Sequence, residues 1–442
     1  MALKIVNTES LDAVADALNE AAGKSGKLVF PDEYISTAKG LSAGGGGGNP
    51  LQKFIDDRGD LTYLYGYFSS NARIRDVKDE ALEWLTTVDL SKMEYANYMF
   101  YRCESRYWTK IPLFDTSNIK YMTSMFESTQ YDRDRYKAIY IPNFDTRNAM
   151  DMGRMFYYRH LKNFPQLDMS KASYISYMYD YAKWDEPLSL PSFIASYPTV
   201  AEYLFANTNI KDVGTVELNN CEKMSGMFNM CASLESVGKV KSERASVNTN
   251  NMFSSCSKLV SIGEIALKSN DISNMFKNCT SLTEIPSFDG GLSTYASYFC
   301  DGCTSLVTVG SIDVRSVTSF SYSFRKCTLL TNLTLKNIKA NLQVGSGDGS
   351  GSSDYGHLLT VDSLVGLCYE LRDTGSVKTL TIGAANLAKL ASVYVRLVEI
   401  TDEMRAEDDL IDKKLPFERC ESTDEGATLI GDYVILKNWK LA

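Results

Sequence analysis

The residues of this chain best suited to chemistry are cysteine and tyrosine, because histidine is almost missing: 442 residues hold 10 Cys, 27 Tyr and only 2 His, His160 and His357. A zinc enzyme, a His-based triad or an imidazole proton shuttle would have to use one of those two rings. "CDGC" (300–303) has the Cys-x-x-Cys spacing of a redox pair or half a zinc site, but no second pair follows at finger or ribbon spacing. Asp132 and Asp134, in "STQYDRDRYKA" (128–138), imitate the start of a calcium loop without its later Gly and Glu, and read as solvated charges. No P-loop or HExxH occurs. The expectation is a chain that is not an enzyme and needs no cofactor and no metal.

The elements that would position these residues are repeats. An aromatic, usually after Met, recurs at Phe100, Phe126, Phe156, Tyr179, Phe205, Phe228, Phe253, Phe276, Phe299 and Phe324. Cysteine keeps the same register at Cys103, Cys231, Cys256, Cys279, Cys303 and Cys327. An apolar pair follows, as in Leu234/Val237, Leu259/Ile262, Leu282/Ile285, Leu306/Val309 and Leu330/Leu333. A period of roughly 23 to 30 residues with one short apolar step is a solenoid signature, because a single unit cannot bury its apolar side alone. The apolar step predicts a short strand. "NIKYMTSMF" (118–126) predicts a helical turn, since Ile119, Met122, Met125 and Phe126 fall on one helical face. "FDTS" and "FDTR" supply its stop and start. In this register the thiols are small apolar filling rather than ligands or nucleophiles.

These repeats, in particular "FDTSNIKYMTSMF" (114–126) and "MFKNCTSLTEIPSFD" (275–289), resemble the BspA-like leucine-rich repeats of bacterial surface proteins over roughly residues 60–335. The resemblance implies an α/β repeat solenoid, a leucine-rich-repeat-like curved array with one short parallel sheet. Repeats between 127 and 200 lose the Cys and carry insertions.

The ends differ. Residues 1–41 read as a small N-terminal helical module, with Leu11, Val14, Ala15, Leu18 and Ala22 on one face. A Gly-rich linker (42–50) joins them to the solenoid (51–340). A flexible Gly/Ser loop (341–357) and a C-terminal α/β cap (358–442) follow. Within the cap, 360–371 predicts a helix, "KTLTIG" a strand, "AANLAKLASVYVRLVE" a helix and "DYVILKNWKLA" a strand. The stretch "LDAVADALNEAAGKSGKLVFPDEYISTAKGL" (11–41) resembles modules at the ends of tail and fibre proteins of bacteriophages that infect gut bacteria. That likeness implies an anchor within a particle.

A net charge of -9 argues against a nucleic-acid partner, which needs a basic face. No run of eighteen apolar residues is available to span a membrane. The opening MALKIVNTES lacks the pattern of a cleaved signal, so the expected location is a virion assembled in the host cytoplasm. Tyrosine is concentrated between Tyr63 and Tyr203. Tyr101, Tyr107, Tyr131, Tyr136, Tyr157, Tyr158 and Tyr181, with Arg133 and Trp184, are the candidate contact residues. The expected function is a structural virion protein, a tail, fibre or other peripheral component. It would join other virion proteins through residues 1–48, as a monomer or a homo-oligomer, and meet a host-surface protein or glycan through the solenoid. The alternative is a bacterial cell-surface adhesin built from the same repeats. A glycan-cleaving tail-spike is a weaker third, since it needs two carboxylates at a working separation.

Overall fold

The computed structural model describes residues 86, 89–102, 110–135, 137–344, 359–408 and 414–441. The N-terminal module (1–41), the linker (42–50), residues 345–357, Cys103, Tyr107 and Tyr136 lie outside the described residues. Two compact units are distinguished, Met1–Pro187 with Ala195–Asn209, and Leu188–Ile194 with Ile210–Ala442. Each contains coils of a parallel-strand β-solenoid.

The repeated aromatic sets the interior of both. In the first unit, ring centroids stand 5.1 Å apart for Phe100–Phe126, 5.7 Å for Phe126–Phe156, 5.2 Å for Phe156–Tyr179 and 5.5 Å for Tyr179–Phe205, all with nearly parallel planes. In the second, Phe228–Phe253 and Phe253–Phe276 stack at 5.6 and 5.5 Å, and Phe276–Phe299 and Phe299–Phe324 continue the column edge-on. Like side chains pile up because coils one period apart lie at strand spacing. The thiols of Cys231, Cys256, Cys279, Cys303 and Cys327 are buried in the same interior. The Sγ of Cys256, Cys279 and Cys303 each donate to the carbonyl of Phe228, Phe253 and Phe276, respectively, at 3.0 Å.

The predicted helical turn at 118–126 is instead a run of tight turns. Met125 N–H bonds to Met122 O at 3.1 Å, as a helix would not, while Met122, Ser124, Phe126 and Ser128 donate to Asp151, Gly153, Met155 and Tyr157 of the next coil. Alternate N–H groups are thus spent between coils, so no i→i−4 ladder can form. Turn corners three residues apart put Ile119, Met122 and Met125 inside with the spacing of a helix. The turns closed by Met125 and its counterparts carry a left-handed residue at their third position: φ is +56° at Ser124, +55° at Arg154 and Tyr158, and +58° at Tyr177 and Tyr181. The Asp of "FDTS" caps a turn rather than a helix: Asp115 Oδ1 accepts from Ser117 N–H at 2.9 Å.

In the first unit a short helix α1 (Gln130–Arg135) stands on the insertion, and β1 (His160–Leu161) pairs in parallel with β2 (Lys183–Trp184). The predicted strand step is seen most fully in the second unit. There β3 (Leu188–Ile194), β4 (Ile210–Glu217) and β5 (Ser236–Lys241) lie in parallel order. A short β6 (Val247–Asn248) pairs elsewhere, and β7 (Ser261–Ala266) completes the four-stranded sheet beside β5. Its register sets Val213, Val237 and Ile262 side by side, and likewise Val216, Val240 and Ile265. One glycine in each of β4, β5 and β7 permits this close approach: a Cβ on Gly238 would sit 2.2 Å from Gly214 O. Beyond them come β8 (Ser269–Asp271) beside β6, then β9 (Glu284–Ile285), β10 (Thr308–Asp313) and β11 (Asn332–Lys336) in a second parallel sheet, and the short β12 (Leu342–Gln343).

α2 (Val361–Glu370) follows, capped by Thr360, and its Ser363 Oγ both accepts from Leu333 N–H and donates to Leu333 O of β11. β13 (Lys378–Thr381) pairs with β12. The predicted long helix at 384–399 is only half helix: α3 (Ala384–Leu390) gives way to β14 (Tyr394–Leu397), which α4 (Asp402–Glu407) separates from its antiparallel neighbours β15 (Phe417–Cys420) and β16 (Thr428–Leu429). The predicted terminal strand is also divided. Residues Ile430–Leu436 form α5, and only β17 (Trp439–Leu441) is strand, paired with β13. Partner strands with free edges decide both cases, overriding local propensity. Among the described residues no helix is long and apolar enough to cross a membrane.

Candidate functional site

The turn geometry of the first unit has an outer consequence. At some left-handed positions the side chain leaves the packed interior, and the same position recurs one coil later. Tyr158 and Tyr181 occupy such positions, at φ +55° and +58°, and their rings stack at 4.3 Å. Tyr177 and Tyr203 do the same at the other left-handed position, at 5.1 Å. Non-glycine residues there cost roughly 1 kcal/mol each, offset in part by stacking worth about as much.

Around Tyr158 and Tyr181 the chain assembles a half-buried aromatic and cationic face. Tyr157 meets Tyr158 edge-on at 4.6 Å. The Arg154 guanidinium lies 3.9 Å from the Tyr157 ring centroid and forms two 3.0 Å bonds to the Glu127 carboxylate. Arg133, on α1, donates to Tyr181 O at 3.1 Å, pairs with Asp134, and stands 5.6 Å from the Tyr158 ring. Two guanidinium groups are therefore fixed against aromatic faces, and planar Arg is suited to that stacking.

The electrostatics keep the Arg154 guanidinium charged and the Tyr157 and Tyr158 phenols neutral. Hydrogen bonding to Glu127 holds the Arg154 guanidinium charged, raising its pKa. Burial pushes the Tyr158 phenol up to about 12 and raises Tyr157, so both remain donors at neutral pH. Asp180, buried behind Tyr181, is pushed up to about 7 by desolvation, against the Asn207 amide 2.9 Å away and the Arg154 charge, which favour its anion. Neutral phenol donors, fixed cations and half-buried rings equip the site to hold a polar ligand. Among the described residues no three His, Cys, Asp or Glu side chains converge to hold a metal ion.

Of the candidate contact residues, the structure brings Arg133, Tyr157, Tyr158 and Tyr181 together. Tyr101 is half-buried between Tyr98, at 5.3 Å, and the Arg102 guanidinium, at 5.1 Å. Tyr131 lies on α1, but its side chain, like Tyr107 and Tyr136, is outside the described residues. Trp184 is corrected: it is 3% exposed, packs between Phe164 and Tyr179, and donates its indole N–H to Asn163 O at 3.1 Å. In β2 side chains alternate, and Lys183 takes the outer place. Arg154, Glu127 and Asp180 were missed by sequence reasoning. Their signal was register: Arg154 precedes "MF" where Tyr98, Tyr177 and Tyr203 stand in other repeats.

Neither the curated proteins nor the solved structures contain a match to this chain. A family model does match, over residues 64–190 and 199–308, which is more than half of the chain and spans the coils that carry the tyrosine face. The chain therefore belongs to DUF285, the family described as Mycoplasma protein of unknown function.

Proposed function

We propose that this chain is a non-enzymatic recognition protein that binds a surface protein or glycan through the Tyr158–Tyr181 face. A repeat solenoid of this family fits a surface or adhesin-like protein. The stacked pair carries the reading. Rigid phenol rings offer area at low entropy cost, and the flanking guanidinium groups add direction for polar ligand groups.

The finer assignment is a bacteriophage virion component held to its particle by residues 1–48. It draws support from the likeness of residues 11–41 to phage tail and fibre modules. The second reading, a bacterial surface adhesin, draws its support from the family match. Antibody labelling of purified virions and of intact cells separates the two.

The test of recognition uses the full-length chain. Retention on bacterial cells is compared between wild type and the Tyr158→Ala/Tyr181→Ala double variant, with and without periodate treatment of the cells. Loss of retention in the variant is expected, and equal retention would sink the reading. Release of new reducing ends from host-surface polysaccharide would overturn the non-enzymatic assignment.

A further inference from the structure

The coils of the second unit are joined by one repeated donation. Alternate backbone N–H groups of each coil reach carbonyls of the next. Phe228 and Met230 donate to Met252 and Ser254; Phe276 and Asn278 to Phe299 and Asp301; Tyr298, Cys300 and Gly302 to Ser321, Ser323 and Arg325. The coil at 319–326 ends the series. Phe320, Tyr322, Phe324 and Lys326 hold its donor positions, and none of these N–H groups meets an acceptor among the described residues.

The edge is also of one sign. Within this coil Ser323, Arg325 and Cys327 donate to the carbonyls of Phe320, Tyr322 and Phe324, while the carbonyls of Ser319, Ser321, Ser323 and Arg325 face the preceding coil. Among the described residues, only donors remain outward. Backbone N–H groups in alternating right- and left-handed turns, with φ of +58° at Tyr322 and +63° at Lys326, form a concavity that favours carbonyl oxygens and anions.

An independent feature adjoins it. An open cleft of about 820 Å³ shares Ser319, Phe320 and Ser321 with the edge, and Lys339, Lys378 and Thr379 close its other side. No Asp or Glu lines it, in a chain whose net charge is -9. Lys326, Lys339 and Lys378 form no ion pair among the described residues.

We infer that this edge accepts an acidic peptide segment of a partner protein whose backbone turns a row of carbonyls towards it. Its carbonyls meet the N–H groups of Phe320, Tyr322, Phe324 and Lys326, and its carboxylates meet Lys339 and Lys378. Addition at a backbone edge takes affinity from main-chain bonds and selectivity from side chains beside the edge. The site is separate from the tyrosine face and does not depend on it.

The experiment follows amide hydrogen exchange in the full-length protein, with a synthetic peptide of alternating Glu and Thr as the probe and a Lys/Thr peptide as its counterpart. The amides of the four residues are expected to exchange fast in the free protein and to gain protection with the Glu/Thr peptide. The Lys339→Glu/Lys378→Glu variant is expected to weaken its binding about tenfold, while Tyr158→Ala leaves it unchanged. Four amides already protected without peptide, equal binding of the Lys/Thr peptide, or the same protection from inorganic phosphate alone would each overturn the inference.

Discussion

Tyr158 and Tyr181 lie one coil apart at equivalent left-handed backbone positions, with ring centroids 4.3 Å apart and planes 14° from parallel. The stack follows from the coil repeat: Tyr158 N–H donates to Asp180 O, immediately before Tyr181, which sets the two backbones at strand spacing. Substituting either ring therefore tests packing and recognition separately. Tyr158→Phe retains the stack and is expected to keep stability while losing a phenol donor. Tyr158→Ala is expected to lower stability by about 1 kcal/mol and to weaken ligand retention further. Chemical denaturation alongside cell retention distinguishes the two effects.

The glycine line of β4, β5 and β7 makes a stronger prediction about stability. A Cβ at Gly238 would stand 2.2 Å from Gly214 O, and one at Gly263 2.3 Å from Gly238 O. These contacts are with backbone, so neither side can rotate away. Gly238→Ala is expected to cost about 2–3 kcal/mol, the range of overpacking that backbone must absorb. Alanine at Gly366 or Gly431, helical positions with nothing within 4 Å, is expected to leave stability unchanged or raise it. An unchanged denaturation midpoint for Gly238→Ala would count against the coil spacing described here.

The thiols offer a third measurement. Burial raises Cys256 and Cys303 well above their ordinary value and pushes Cys279 and Cys368 up to about 12. Thiolate is the reactive form, so these groups should resist alkylation in the folded chain. Cys420 is half-buried and should be modified first among the described thiols. Peptide mapping after brief native alkylation reads this directly. Rapid labelling of Cys256 or Cys279 would mean that the column is not closed.

Asp180 predicts a pH dependence with a definite sign. Burial lifts its carboxyl from an ordinary 3.8 to about 7 in the folded chain. Between those values the folded chain keeps a proton that the unfolded chain has released. Stability from this group is therefore full below about pH 4 and declines as pH rises towards 7, by at most about 1.4 kcal/mol per pH unit. Asp180→Asn keeps the shape and the buried position without the titration. Its stability profile should be flatter than that of the wild type over that interval, and parallel profiles would refute the assignment.

Some of this was legible in the residues. Phe100, Phe126, Phe156 and their successors recur because each coil offers the same interior place, and the thiols of Cys231, Cys256 and Cys279 share it for the same reason. The strand step at Val237 and Ile262 was equally plain. Part of the tyrosine face was visible as well, since Tyr157, Tyr158 and Tyr181 fall outside the apolar register. Trp184 was not, because a two-residue strand carries too little alternation to tell its faces apart. The divided segments at 384–399 and 432–442 escaped because β14 and β17 exist through partners, Cys420 and Leu380 among them, that lie elsewhere in the chain.

What the residues settled by themselves is the period: a column position is a local matter of size and apolarity, repeated whenever the chain comes round. What only the tertiary structure decided is where each backbone N–H finds its acceptor. Ser124 bonds to Gly153 and Tyr158 to Asp180 across one whole coil, so a stretch patterned like a helix becomes tight turns. Those turns, through their left-handed residues, fix which tyrosines stack on the outside.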